Sequence, residues 1–215
     1  MMNLAALPRL SILFLIVTPA ANPNYYIQEN SVSSSPDCPD NVPSLGKYEN
    51  DYFGFSIVIP KNLEGHWNSA RCSGGPDGCA CMSDHGRIIP LDKNLSRPTD
   101  FIEVFAASNA EPDTTLAMEV NSNLEWIKRR SVAGTVAILS RRKIMVGRRA
   151  GQRVIARYFD KNEKTWFIED FIEVLRQGVE YSLYLRTKES NYKKDLKVFN
   201  EVVASFALTG GYLIR

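Results

Sequence analysis

QRVIARYFDKNEKTWFIEDFIEVLRQGVEYSLYLRTK, residues 152–188, is the stretch that decides the fold class. Three runs rich in β-branched and aromatic residues are separated by the polar segment DKNEK and by Gln177 and Gly178, which are typical of tight turns. Strands joined by such short connections pair antiparallel. The stretch therefore predicts an antiparallel meander, and the β-branched runs TVAILS and RKIMV within residues 135–146 extend it at its start.

Further strands and two amphipathic helices surround the meander. Period-2 alternation in YFGFSIVIP (52–60) predicts a first strand that closes at Pro60, and FIEVFAA (101–107) predicts a second strand. Between these strands the cysteine-containing stretch is expected to form a loop. The sequence thus predicts strands, a helix, about four further strands and a last helix, which is an α+β arrangement.

Each helix is predicted from apolar residues at helical spacing. Asp113 is expected to cap the first helix, and Ser190 is expected to cap the second, NYKKDLKVFNEVVASF. The apolar stripe of the first helix consists of Leu116, Val120, Leu124 and Ile127. That of the second consists of Tyr192, Leu196, Phe199, Val203 and Phe206.

Three segments resemble the PsbP-like superfamily, which includes the photosystem extrinsic PsbP proteins, a Ran-binding nuclear import factor and many exported bacterial proteins. They are YENDYFGFSIVIPKN (48–62), RKIMVGRRAGQRVIARY (142–158) and EYSLYLRTKESNYKKDLKVFNEVVASFAL (180–208). The resemblance covers residues 48–208 and lies in element order and core pattern. It implies an α/β/α sandwich with an antiparallel sheet of about six strands, and a non-catalytic accessory or binding role.

The amino-terminal residues predict export. Arg9 precedes an apolar run from Leu10 to Val17, followed by small residues, so residues 1–21 are interpreted as a signal peptide. No later run approaches the roughly 20 apolar residues of a transmembrane helix, so the cleaved chain is expected to be secreted or periplasmic. Residues 22–47 are predicted to be a flexible arm, and residues 209–215 a tail after the domain at 48–208.

CSGGPDGCACMSDH (72–85) holds three of the four cysteines. An exported chain with this content predicts two disulfides and a loop tied beside the first strand. Pairing Cys79 with Cys81 across one residue would strain disulfide geometry. Two pairings remain open: Cys38–Cys79 with Cys72–Cys81, or Cys38–Cys81 with Cys72–Cys79.

Two other interpretations use the same residues. Cys72, Cys79, Cys81 and His85 have the donor types of a Cys3His metal site, although their spacing lacks the paired C-x2-C knuckles of structural zinc sites. Cys81 is a candidate nucleophile with His85 or His66 as its base. The chain contains no phosphate-loop, HExxH, GxSxG or calcium-loop motif. The expectation is therefore a non-catalytic protein without a cofactor.

Residues 128–159 carry ten basic side chains and no Asp or Glu, while the whole chain has a formal charge of only +2. This asymmetry predicts a cationic surface for an anionic polymer, a lipid headgroup or an acidic protein, whereas nucleic acid is not expected as the partner of an exported protein. The residues assigned to that surface are Lys128, Arg129, Arg130, Arg141, Arg142, Lys143, Arg148 and Arg149.

The alternative is that cross-strand carboxylates neutralise part of this charge. If DKNEK sets Phe159 opposite Thr165, Ile155 lies opposite Glu169, and Arg153 and Arg157 are diagonal to that carboxylate.

Among the other residues, Trp126 and Trp166 are expected at the core or its edge, and Trp67 in the loop. Asn94 lies in an N-x-S glycosylation sequon.

Overall fold

The computed structural model describes residues 42–72, 81–90, 100–108 and 113–210. Along these residues the chain forms six strands, a helix, four strands, a second helix and a short last strand. The elements before and including the first helix are β1 (Val42–Ser44), β2 (Lys47–Asn50), β3 (Phe55–Val58), β4 (Leu63–Cys72), β5 (Cys81–Pro90), β6 (Phe101–Ser108) and α1 (Leu116–Arg130). The following elements are β7 (Ala137–Val146), β8 (Arg149–Asp160), β9 (Thr165–Arg176), β10 (Val179–Lys188), α2 (Tyr192–Ser205) and β11 (Ala207–Leu208).

The α+β class and the antiparallel meander are confirmed, but the sheet is larger than predicted. Eight strands form one sheet in the order β1-β4-β5-β6-β10-β9-β8-β7, and β11-β3-β2 form a second sheet. The predicted first strand is shorter than expected, because Tyr52–Gly54 form a turn before β3. The stretch expected as a loop instead contributes β4 and β5, which pair with each other over most of their length.

The two helices cover opposite faces of the large sheet. Phe171 and Ile172, adjacent in β9, belong to two different apolar clusters, as expected when successive side chains of a strand point to opposite faces. The Phe171 cluster packs under Val120 and Ile127 of α1. The Ile172 cluster packs under Phe199 of α2 and the small sheet. The resulting order is helix, sheet, then helix with the small sheet.

Local details correct several predictions. Thr115, rather than Asp113, caps α1, and its side chain accepts a hydrogen bond from the Met118 amide. Ser190 does not cap α2, because Glu189–Asn191 form a 3-10 turn and the helix begins at Tyr192. Strand residues begin at Val42, within the segment predicted as a flexible arm. No helix in the described ranges is long and apolar enough to cross a membrane.

The predicted register of the β8–β9 hairpin is wrong by one residue. Thr165 lies opposite Asp160 rather than Phe159, so Glu169 faces Ala156. A slip of one residue moves a side chain to the other face of a sheet. Arg153 therefore shares its face with Asp170 instead of Glu169.

Candidate functional site: the basic hairpin

The predicted cationic residues fall into two groups in the structure. Some are held by carboxylates or rings inside the fold, and others project from the hairpin formed by β7 and β8. We call Arg141, Arg142, Lys143, Arg148 and Arg149 of this hairpin the basic hairpin surface.

Arg153 belongs to the first group. Its Nε and Nη2 atoms each donate to Asp170 at 2.7 Å, and both residues are buried. Asn200 accepts from the same guanidinium at 3.1 Å, and Tyr192 donates to Asp170 at 2.9 Å. This paired network joins β8, β9 and α2, and leaves Arg153 unavailable to a partner.

Arg130 was predicted on the partner surface, but the structure places it in a second internal network. It donates to the Glu169 carboxyl group and to the Tyr158 hydroxyl, the latter at 2.7 Å. Tyr158 and Tyr184 also donate to Glu169, which is fully buried. Burial raises the pKa of Glu169 to about 8, while the positive charge of Arg186 opposes the shift. Arg130 therefore stabilises the contact between α1 and the sheet.

Lys128 and Arg129 lie at the exposed end of α1, apart from the basic hairpin surface. Lys128 pairs with Glu125 at 2.6 Å, and the Arg129 guanidinium lies 5.6 Å from the Trp126 ring centre. Trp126 is exposed, contrary to the prediction, and its ring lies beside the guanidinium groups of Arg129 and Arg130 rather than in the core. Lys161 donates to the Arg129 carbonyl, which places this end of α1 beside the β8–β9 turn. The β7–β8 turn is at the opposite end of β8, roughly 35 Å of extended chain away.

The turn that joins β7 to β8 has two residues. Val146 lies opposite Arg149, and Gly147 and Arg148 have φ angles of 52° and 64°. Two successive positive φ angles define a type I′ turn, whose twist matches that of the paired strands. Arg148 occupies a left-handed conformation that costs a residue other than glycine about 1 kcal/mol. The turn presents Arg148 and Arg149 together at the tip.

The basic hairpin surface is exposed and carries no internal counter-charge. Arg141 donates to Gln152, at 3.0 Å from Nη2. The other four residues of the surface are exposed, and their side chains make no hydrogen bond or ion pair with another described residue: Arg142, Lys143, Arg148 and Arg149. Large apolar side chains are exposed along the same strand, with exposed fractions of 54% for Leu139 and 66% for Met145. The hairpin thus presents cations and apolar groups side by side.

A group of carboxyl side chains lies between α1 and the sheet, and the sequence analysis did not identify it. Glu173 is fully buried, and one of its oxygens accepts from Asn123 and Ser182 at 2.7 Å each. Its other oxygen has no partner among the described residues. Burial, with the charge and hydrogen bond of Glu119, raises the pKa of Glu180 to about 8, and burial with the charge of Glu180 raises that of Glu173 well above its usual value. In the described ranges, no group of His, Cys, Asp and Glu is arranged to hold a metal ion.

The cysteine-rich segment is described only in part. Cys72 ends β4 directly opposite Cys81, which begins β5, while Cys38 and Cys79 lie outside the described residues, as does Asn94. Cys81 and His85 are four positions apart on one extended strand, which separates their Cα atoms by roughly 13 Å. Ligands of one metal ion bind at about 2.0–2.3 Å from it, and a nucleophile and its base lie within hydrogen-bond reach. This strand geometry disfavours both the metal site and the Cys81–His85 pair.

Trp67 lies in β4 rather than in a loop. It is buried and stacks on Tyr48 with 3.4 Å between ring centres. A Cβ atom at Gly86 would approach the indole to 2.1 Å, so Gly86 has to lack a side chain. Trp166, predicted at the core edge, is partly exposed and lies 3.6 Å from the Arg157 guanidinium, which also pairs with Glu189. These rings have structural partners and do not form a joint ligand platform.

Comparisons with known proteins identify the fold. No protein-family model and no curated protein sequence matches the chain. Among solved structures, cyanobacterial PsbP (CyanoP) from Synechocystis sp. PCC 6803 aligns with a TM-score of 0.51 at 13% identity, covering 83% of this chain and 98% of that chain. Mycobacterium tuberculosis LpqN, involved in cell envelope biogenesis, aligns at 0.46 and 10% identity, covering 79% and 85% respectively.

The immunity protein TplEi of the Pseudomonas aeruginosa T6SS is also similar in structure, with a TM-score of 0.43 at 13% identity, covering 76% of this chain and 52% of that chain. At these identities the similarities bear on the fold alone. The alignment with CyanoP spans nearly all of that protein, so this chain has a PsbP-like fold, as the sequence resemblance implies.

Proposed function

We propose that this protein is an exported, non-catalytic binding module that holds an anionic partner through the basic hairpin surface. The observation that carries the proposal is the exposure of Arg142, Lys143, Arg148 and Arg149 on a hairpin that contains no carboxylate from residue 137 to residue 159. Uncompensated cations on one element create a positive potential that attracts anions and accelerates encounter with them. The predicted signal peptide places the partner outside the cytoplasm.

The proposal narrows the predicted surface from eight residues to five. Arg130 is engaged with Glu169, and Lys128 and Arg129 lie near the other end of β8. The five residues that remain lie on β7, in the turn and at the first residue of β8. A partner that contacts them needs anionic groups, whether phosphate, sulfate or carboxylate, within a span of a few residues.

The buried carboxyl groups support a non-catalytic role. Perturbed pKa values often mark catalytic groups, and Glu169 and Glu173 have strongly raised values. However, both side chains have an exposed fraction of 0% and lie on the face of the sheet that α1 covers. A substrate has no access to them without displacement of α1, so their pKa shifts are explained by structural burial.

Charge reversal tests the proposal with a matched control. The hairpin variant carries Arg142→Glu, Lys143→Glu and Arg149→Glu, and the control carries Lys193→Glu, Lys194→Glu and Lys197→Glu on the exposed side of α2. Both variants change the net charge equally. With poly-L-glutamate as the probe, we expect the hairpin variant to bind at least about tenfold more weakly at low salt, and the control to retain most of its affinity.

The salt dependence of the unmodified protein belongs to the same experiment. Its affinity for poly-L-glutamate should fall steeply between about 50 and 200 mM salt, because binding releases counterions from the polyanion. Equal losses in the two variants would show that only net charge matters. No loss in the hairpin variant would place the binding surface elsewhere, and either result would contradict the proposal.

A further inference from the structure

The outer edge of β7 is the starting point for a more specific inference, which rests on the proposed function. β7 is the last strand in the sheet order and, among the described residues, pairs with β8 alone. It has ten residues, whereas β1 at the other end of the sheet has three. A long free edge presents unpaired backbone donors and acceptors on which a further strand can form.

The turn geometry identifies which backbone groups face outward. In a type I′ hairpin the residues that flank the turn are a hydrogen-bonded pair, here Val146 and Arg149, and bonded pairs alternate with non-bonded pairs along the ladder. The amide and carbonyl groups of Arg141, Lys143 and Met145 therefore point away from β8. Register shifts between Ile138 and Ser140, so the regular free edge extends from Ser140 to Val146.

The side chains along this edge are basic at its centre and apolar near the turn. Arg141, opposite Val154, and Lys143 point to the α1 face of the sheet, and Arg142, opposite Arg153, points to the other face. Cations thus occupy both faces at the centre of the edge. Towards the turn the exposed residue is Met145, and Ile144 is partly buried against the core.

We propose that β7 binds an extended acidic segment of a partner protein, which adds to the sheet as a further strand. Backbone hydrogen bonds to residues 140–146 supply sequence-independent affinity, and alternate side chains supply specificity, as in other cases of strand addition. The bound strand carries carboxylates at its centre, against Arg141, Arg142 and Lys143. Apolar side chains at one end contact Ile144 and Met145.

The same charges oppose self-association through this edge. Two copies of β7 paired edge to edge would bring Arg141, Arg142 and Lys143 of each copy together, and like charges directly opposite one another are destabilising. Basic residues and bulges are common devices that protect free edges. The exposed Leu139 and Met145 are not needed for such protection, whereas a bound strand would cover them. The edge therefore selects an acidic strand over a second copy of this chain.

The test compares two variants at one position. Lys143→Ala and Lys143→Pro remove the same charge, but only the proline also removes an outward-facing amide. Proline is tolerated on an edge strand when its missing N–H faces solvent. The probe is a capped seven-residue peptide with three central glutamates flanked by valine and threonine, and its binding is measured by fluorescence anisotropy. Circular dichroism establishes that each variant retains its fold.

We expect Lys143→Pro to bind the probe about tenfold more weakly than Lys143→Ala, while both variants bind polyacrylate, a polycarboxylate without backbone amides, equally. As an independent check, a probe with alternate backbone amides N-methylated keeps its charge but should bind the unmodified protein at least tenfold more weakly. Equal binding by the two variants and by the two probes would overturn strand addition. The proposed function would then still stand if the charge-reversal variant lost binding to poly-L-glutamate, so the two proposals fail separately.

Discussion

Arg153 and Arg142 lie directly opposite one another across the β7–β8 ladder, and their surroundings differ sharply. Arg153 is buried and held by Asp170 and Asn200, and Tyr192 donates to the same Asp170 carboxylate. Arg142 is exposed, and its side chain makes no hydrogen bond or ion pair with another described residue. Of two arginines opposite one another on neighbouring strands, Arg153 therefore stabilises the fold, and Arg142 is free to bind a partner.

The difference follows from position in the sheet rather than from residue type. β8 is an interior strand, and its inward residues meet β9 and α2. β7 is an edge strand, and few elements lie over it. A buried charge requires a partner, because its desolvation costs several kcal/mol. An exposed charge remains hydrated and requires none. Cations without partners therefore accumulate at the edge.

The largest expected effect is on stability when the buried pair is broken. Arg153→Ala leaves the Asp170 carboxylate buried without its ion pair, which should lower the free energy of unfolding by about 3–5 kcal/mol. Arg142→Ala, directly opposite in the same ladder, should change it by less than about 0.5 kcal/mol. Urea unfolding followed by circular dichroism measures both variants. Similar effects for the two would erase the distinction between the two arginines.

A disulfide between Cys72 and Cys81 is expected to stabilise the β4–β5 hairpin, which, unlike the basic hairpin, would then be held by a covalent bond. Cys72 lies opposite Cys81 in its register, which favours Cys72–Cys81 with Cys38–Cys79 among the two pairings left open by the sequence. Directly paired positions in an antiparallel ladder have Cα separations that suit a disulfide. Closing so short a loop should contribute about 2–3 kcal/mol.

Mapping without reductant, with cleavage before Asp77 and fragment-ion sequencing across Ala80 to distinguish Cys79 from Cys81, should therefore show Cys72 linked to Cys81. The matched variants Cys72→Ser and Cys81→Ser should lose similar amounts of stability. A linked pair containing Cys72 and Cys79 would contradict the assignment.

A smaller effect is expected from the buried carboxyl groups when pH is varied. The pKa values of Glu173 and Glu180 are raised in the folded state, mainly by burial, so these groups hold protons that the unfolded chain has already lost. Their contribution to stability is therefore fully present below about pH 4.5 and is lost as pH rises towards 8. The free energy of unfolding should fall across this range by about 1.4 kcal/mol for each unit by which a pKa is raised.

Glu180→Gln tests the origin of that slope, because an amide cannot ionise. The variant should show a flatter dependence of stability on pH than the unmodified protein. Glu201→Gln, at an exposed position on α2, serves as the control and should leave the slope unchanged. An unchanged slope in Glu180→Gln would show that this carboxyl group does not retain its proton in the folded state.

The meander and the helices could be predicted because their signals are local. Short turns at DKNEK and at Gln177–Gly178 join strands that follow one another along the chain. The apolar residues of α1 and α2 recur at helical spacing. Register could not be predicted with the same certainty, because the turn length allowed either Phe159 or Asp160 to face Thr165. The structure selects Asp160, whose carboxylate accepts from the amides of Asn162 and Glu163 within the turn.

β4 and β5 were missed because they lack an alternating apolar pattern. Gly65 and Gly86 stand where apolar residues would mark a strand, and the Trp67 ring occupies the space of their absent side chains. The positions of the basic side chains in the fold could not be predicted. Composition located the excess charge, but only the packing distinguishes Arg130, which contacts Glu169, from Arg148 and Arg149 at the turn.

The most direct test of the central claim is a titration of 15N-labelled protein with poly-L-glutamate at about 50 mM salt, followed by amide chemical shifts. Binding at the basic hairpin surface should produce the largest shifts at residues 140–149, with little change at Lys193, Lys194 and Lys197 on α2. Shifts centred on α2 or on the exposed end of α1, with residues 140–149 unchanged, would contradict it.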